Sequence, residues 1–254
     1  MKVENLNGVA IVSLNNPTQR NAWSPQMHTE VRAALEAAGQ DRDVRVIVLT
    51  GEGRDFCVGR DVSELGATAG DRSGPVDPDP HNMHFMFDVP KPIIAAINGP
   101  TAGAGFCYAG FSDLRYVADG ARITTAWSRR GLTAEFGMAW LLPHLVGVRN
   151  ALDILMTGRV LSAAEADRMG FATVLPSEGF LDQVLALARD MADFASPLST
   201  GVMKRQVYRS LFFTGVGEAV TDAVTEAERS FTTADFKEGI AHFVEKRAPA
   251  FTGQ

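Results

Sequence analysis

Residues 131–143 read GLTAEFGMAWLLP, and Glu135 is the single charge among apolar and small neighbours. A carboxylate is rarely buried alone, because desolvating the ionised form costs several kcal/mol or drives its pKa upward. Two readings of Glu135 follow. It is a proton acceptor held in a dry apolar pocket, or an exposed charge at a helix start, where the helix dipole favours an anion.

Two other stretches share one design. VIVLTGEGRDFCVGRDVSEL (46–65) and IIAAINGPTAGAGFCYAG (93–110) each run from an apolar strand through small residues into a helix. Small residues at such a junction leave backbone N–H groups uncovered, and the first helical turn has N–H groups without intrahelical partners. Two junctions facing one another would aim two donors at one oxygen, an oxyanion hole worth about 3–4 kcal/mol per donor in a water-excluded site. The glycines can equally serve only to let helix and sheet pack closely. A dinucleotide-binding loop is a poor match, since Gly51-Glu52-Gly53 lacks the third glycine and Tyr108 stands where Gly103 and Gly105 would require it. Cys107, near the start of the second predicted helix, is either a thiolate nucleophile or a buried packing cysteine. His28, His81, His84, His144 and His242 form no metal-binding spacing, so no metal is expected.

The elements that must position these residues follow from periodicity and punctuation. Val3 to Leu14 alternates around Asn7-Gly8, a hairpin signal. Ser24-Pro25 supplies a helix cap and first-turn proline; Met27, Val31, Leu35 and Ala38 follow at helical spacing, and Gly39 closes the helix. Val44–Thr50 and Ile93–Ile97 read as buried strands, Asp113–Val117 and Arg122–Thr125 as short ones, and Asp61–Leu65 as a short helix. Gly66–Pro80, rich in Gly, Pro and Asp, reads as a mobile loop. Asp113 and Arg115 form a structural pair. Ser162-Ala-Ala-Glu165 is a capping box, and Phe180–Phe194, Ser199–Phe213 and Ala219–Phe231 carry helical patterns. The fold class is α/β with a helical C-terminal third.

The 254 residues can bury a sizeable core, and 46% hydrophobic with 21% charged residues is an ordinary profile for a water-soluble chain. A net charge of −6 without a basic block argues against a nucleic-acid surface. The first residues suit no secretory signal, and no stretch approaches the ~18 apolar residues of a membrane span. Two cysteines make no disulfide framework, so the cytoplasm is expected.

FCVGRD (56–61), NGPTAGAG (98–105), SDLRYVAD (112–119), RGLTAEFGMAWLLPHLVG (130–147) and EGIAHFVEKRAPAF (238–251) resemble, in order, the motifs of the crotonase superfamily, the enoyl-CoA hydratases and isomerases. The likeness runs from Asn21-Ala22-Trp23-Ser24 to Phe251. It implies a crotonase-like ββα spiral core over residues 1–195 and a helical trimerisation region over 196–254. The resemblance also implies a homotrimer or hexamer and a coenzyme A thioester substrate. Coenzyme A enters with that substrate, so no separate cofactor is expected. The resemblance puts the two oxyanion donors on the N–H groups of Arg60 and Ala104. It places Ala22, Val58, Asp61, Val62, Gly103 and Trp127 along the acyl-CoA path. Arg20 and Lys246 match positions that face the phosphates, and Phe243 would pack near the nucleotide, from a neighbouring subunit.

Where the family's hydratases carry two glutamates, this chain has Cys107 and Trp127. Adding water needs one group to deprotonate it and another to handle the α-carbon proton, and an indole N–H only donates. Eight residues past Trp127, Glu135 matches the lone acid of the Δ3,Δ2-enoyl-CoA isomerases and of the ring-epoxide isomerases. Double-bond isomerisation needs one base, so it is the favoured expectation, with Glu135 as proton shuttle. Hydration is the alternative, and a non-catalytic CoA-binding scaffold is a third reading.

Overall fold

The computed structural model describes residues 1–60, 82–213 and 215–254. The helix expected at 61–65, the loop at 66–80, Asp61, Val62 and His81 lie outside them. β1 (Lys2–Leu6) and β2 (Val9–Leu14) form the expected hairpin, with Asn7 and Gly8 both at positive φ, the twist that a two-residue turn requires. β2 pairs in parallel with β3 (Val46–Gly51), followed in parallel by β4 (Ile93–Ile97), β6 (Leu114–Ala118) and β9 (Thr173–Leu175). A smaller sheet joins β5 (Thr101–Ala102), β7 (Arg122–Thr124) and β8 (Leu161–Ser162).

The central strands are apolar throughout because both sheet faces are covered. On one face α1 (Pro25–Gln40) sets Val31, Leu35 and Ala38 in the cluster holding Val12, Leu14, Ile47 and Leu49. On the other, Val184, Leu185 and Ala188 of α6 (Phe180–Phe194) pack on Val9, Ile11, Val48 and Ile94. Between them in sequence lie α2 (Phe85–Asp88), α3 (Ala104–Phe111), α4 (Met138–Thr157) and α5 (Ala163–Arg168). α7 (Pro197–Ser210), α8 (Val216–Ser230) and α9 (Ala234–Glu245) complete the chain.

The Ser24 cap and the Ser162–Glu165 capping box form as expected. Gly39 does not close α1, which runs one residue further. A Cβ there would stand 3.0 Å from Val89 Cγ1, so the glycine serves helix packing instead. Arg115 does not pair with Asp113 either. Its guanidinium donates to the carbonyls of Phe171 and Ser112, while Asp113 accepts from Ile93 N at 2.7 Å, Tyr208 Oη at 2.8 Å and Lys204 Nζ at 2.8 Å. That buried knot fastens α7 to the sheet.

Candidate active site

The two strand-to-helix junctions pack backbone against backbone. A Cβ on Gly99 would stand 1.9 Å from Arg54 O, on Gly105 2.1 Å from Cys57 O, and on Gly59 2.8 Å from Ala102 O. No side chain fits in any of these places. Asn98 fastens the contact, accepting from Gly51 N at 3.1 Å and donating to Gly51 O and Gly53 O at 3.0 Å each. Buried Asn21 holds the preceding loop on the same turn by donating to Glu52 O and Asp55 O.

This contact brings Arg60 and Ala104 together. The position a Gly59 Cβ would take is 3.5 Å from Ala104 N, and Arg60 is the next residue. Ala104 opens α3, so its N–H has no intrahelical acceptor, and among the described residues neither it nor Arg60 N donates to a backbone carbonyl. Arg60 and Ala104 both line one cavity, of about 40 Å³, which is also lined by Trp23, Gly103, Trp127, Leu132, Glu135 and Phe136.

Glu135 is at the rim of that cavity and not in a dry interior, which corrects the buried-base expectation. From Gly131 to Gly137 burial alternates: Leu132, Ala134 and Phe136 turn inward, while Thr133 and Glu135 are exposed. Nor does Glu135 start a helix. Phe136 and Gly137, at φ 53° and 76°, separate it from α4 by a left-handed turn closed by Met138 N donating to Glu135 O at 3.0 Å. An aromatic residue in that region is strained by roughly 1–2 kcal/mol. The Phe136 ring, edge-on to Trp23 at 5.9 Å, helps hold it there. The strained turn carries the carboxylate back to the mouth of the cavity. Trp23, Leu132 and Phe136 were not singled out from sequence as site residues, although Phe136-Gly137 carries the signal of a glycine beside a lone charge.

Burial pushes the Cys57 thiol up to about 12 and the Cys107 thiol well above its ordinary value, with the nearby charge of Glu135 adding to the second. A protonated, enclosed thiol is no nucleophile. Arg20 is held by buried Asp55, at 2.8 and 3.2 Å from its guanidinium, with half its side chain left exposed. Ala22 lines a separate cavity of about 270 Å³ with Trp23, Ser24 and Met27. Val58 is half-buried beside the junction. Phe243, 80% exposed on α9, and Lys246, which caps that helix, do not line the Glu135 cavity within this chain. Among the described residues no His, Cys, Asp and Glu side chains gather as a metal site, and no helix is long and apolar enough to cross a membrane.

Two outcomes follow from this geometry. Gly59→Ala, at φ 79° and against a backbone carbonyl, should lower stability by more than about 2 kcal/mol in urea unfolding. Gly120→Ala, at φ 87° with nothing within 4 Å, should cost only about 1 kcal/mol. Equal losses would mean that the junction contact has room to spare. For the cysteines, an aromatic disulfide reagent at pH 8 should titrate neither thiol in the folded protein and both in guanidinium. Because the folded-state thiol pKa lies above the unfolded one, stability should also fall as pH rises from 9.0 toward about 12. Rapid native labelling of Cys107 would reverse its assignment as a packing residue.

The enoyl-CoA hydratase/isomerase family model matches residues 4–254. A probable enoyl-CoA hydratase of Mycobacterium tuberculosis is 34% identical, over 96% of this chain and 89% of its own length. The 1,2-epoxyphenylacetyl-CoA isomerase of Escherichia coli is 30% identical, over 97% and 96%. Among solved structures, a probable enoyl-CoA hydratase/isomerase of Mycobacterium abscessus superposes with a TM-score of 0.93 at 31% identity, covering 100% of this chain and 98% of the other. With its motifs, fold and relatives in agreement, the chain belongs to the enoyl-CoA hydratase/isomerase family and has the crotonase fold.

Proposed function

We propose that this family member shifts the double bond of an enoyl-CoA thioester, with Glu135 carrying the proton. The observation that carries the reading is the composition of the cavity. Among the described residues that line it, Glu135 is the one carboxylate, and it shares the space with Arg60 and Ala104. In the proposed reaction the thioester oxygen accepts from Arg60 N–H and Ala104 N–H. Glu135 takes a proton from the α-carbon of a 3-enoyl thioester, between the carbonyl and the alkene, and the electron pair moves onto the thioester oxygen as a conjugated enolate. The two donors strengthen as that charge develops, which is where electrostatic stabilisation lowers a barrier. Glu135 then returns the proton two carbons along, and the enolate collapses to the shifted alkene. One base suffices, and no water is consumed.

Hydration is the second reading, favoured by the names of most relatives, including the M. tuberculosis one. Against it stands the absence of a second acid among the described lining residues, since Trp127 can donate to water but cannot deprotonate it. A panel of 2-enoyl- and 3-enoyl-CoAs, followed by mass spectrometry, separates the two. Isomerisation leaves the product mass unchanged, whereas hydration adds one water. Glu135→Gln should cut isomerisation by roughly 10²–10⁴-fold. A water-adduct product, or a fully active variant, would contradict the proposal.

Assembly belongs to the same reading. α7, α8 and α9 expose Met203, Val207, Val220, Val224, Ile240 and Phe243, an apolar surface that a lone chain has no use for. In the proposed trimer or hexamer this surface is buried, and Phe243 and Lys246 serve a neighbour's nucleotide. Light scattering should give three or six copies at micromolar concentration; a monomer would remove both residues from the site.

A further inference from the structure

Trp23 joins the two halves of the site. Its main-chain N–H donates to Gly59 O at 2.9 Å, and the Arg60 guanidinium lies 4.7 Å over its ring. Edge-on to it, 5.9 Å away, stands Phe136, whose strained turn carries Glu135. The ring is a spacer between the Arg60 loop and the carboxylate. Trp23, though only 2% exposed, also borders both the Glu135 cavity and the neighbouring one of about 270 Å³. Open space beside a side chain weakens the hold of packing on its rotamer, so a directional contact has most to add here.

That contact is supplied by a buried pair. Tyr108 and His28 are both enclosed, with His28 Nδ1 2.9 Å from Tyr108 Oη and the two rings stacked at 22°. His28 also tilts against Trp23, 6.2 Å away. Burial pushes the Tyr108 phenol well above its ordinary pKa and nearby Cys57 adds to that, while a hydrogen bond from the Trp23 side chain works the other way. An indole N–H only donates, so the hydroxyl accepts from Trp23 and keeps its own proton for His28 Nδ1. Tyr108 lies one turn past Ala104 on α3, which ties this chain of contacts to the helix that borders the cavity. The proposed reaction gives neither Tyr108 nor His28 a task, since neither lines that cavity.

We propose that Tyr108, backed by His28, is a positioning residue: its hydroxyl sets the Trp23 ring, and through Trp23 and Phe136 it sets Glu135 against the substrate. The inference rests on Glu135 being the proton carrier. Without the hydroxyl the indole is free to turn toward open space, the Phe136 turn loses its support, and the carboxylate drifts from the α-carbon. A displacement of about 1 Å is enough to cost roughly 100-fold in rate. Binding is spared, because Trp23 N still holds Gly59 O.

Tyr108→Phe removes one oxygen and keeps the ring. Proton abstraction is read as exchange of the butyryl-CoA α-protons with deuterated water, and affinity by calorimetry. Exchange should fall roughly 10–100-fold while affinity stays within about two-fold of wild type. The Trp23 indole proton resonance, assigned by its loss in Trp23→Phe, should move upfield in Tyr108→Phe, while that of exposed Trp140 stays in place. In a Trp23→Phe background, with no indole N–H to hold, adding Tyr108→Phe should cost no further exchange. Wild-type exchange in Tyr108→Phe, an unmoved Trp23 resonance, or losses that multiply in the double variant would overturn the inference and leave Glu135 as the base. A wild type that binds the ester without exchanging its α-protons would instead overturn the isomerase reading, and this inference with it.

Discussion

Everything at the site depends on two loops approaching more closely than any side chain allows. Where the turn after β3 meets the turn after β4, Gly99, Gly105 and Gly59 each face a carbonyl oxygen at a distance that excludes a Cβ. Hydrogen bonds close the same seam, Ala102 N donating to Cys57 O at 2.9 Å and the Asn98 amide bridging to Gly51 and Gly53. The result is a closely packed backbone seam that brings Arg60 and Ala104, from distant parts of the chain, to the lining of one cavity. In the proposed reaction, backbone donors fixed this way would need no reorganisation when charge develops near them, which side chains on mobile stems would.

Around that fixed surface the variable chemistry is supplied by side chains arriving from elsewhere. Trp23 comes from the loop before α1, Trp127 from the turn after β7, and Glu135 from the extended segment before α4. Each is steered by a local feature: the Arg60 guanidinium lies 4.7 Å over the Trp23 ring, and the left-handed turn at Phe136 and Gly137 re-aims Glu135. Under the proposed reading the backbone surface serves the oxyanion. Which reaction follows depends on the groups that border it, and here, among the described residues, the borders hold one carboxylate, two indoles and two arginines, Arg60 and Arg130.

Local signals were readable in the sequence and long-range ones were not. Asn7-Gly8, the Ser24 cap, the Ser162–Glu165 box and the strand Ile93–Ile97 act through neighbours in the chain, and the structure has them where expected. Gly39 reads as a helix end from sequence but answers to Val89, 50 residues away in contact. Arg20 resembles a free phosphate ligand, yet Asp55, invisible to spacing rules, holds it. The glycine-rich junctions were legible as a pair because both carry the same strand-to-helix design. Glu135 was legible as an anomaly but not as a rim residue, because its exposure is decided by the left-handed turn at Phe136, which packs on Trp23 more than a hundred positions earlier.

The central claim is that Arg60 and Ala104 hold an enolate that Glu135 makes and reprotonates. Solvent exchange tests it without requiring a double bond or a correct guess of the acyl group. A saturated ester, butyryl-CoA, incubated with the protein in deuterated water, should acquire deuterium at the α-carbon. Exchange should be lost in Glu135→Gln, while the ester still binds through the two backbone donors. Undiminished exchange in Glu135→Gln, or none in a wild type that binds the ester, would contradict the account.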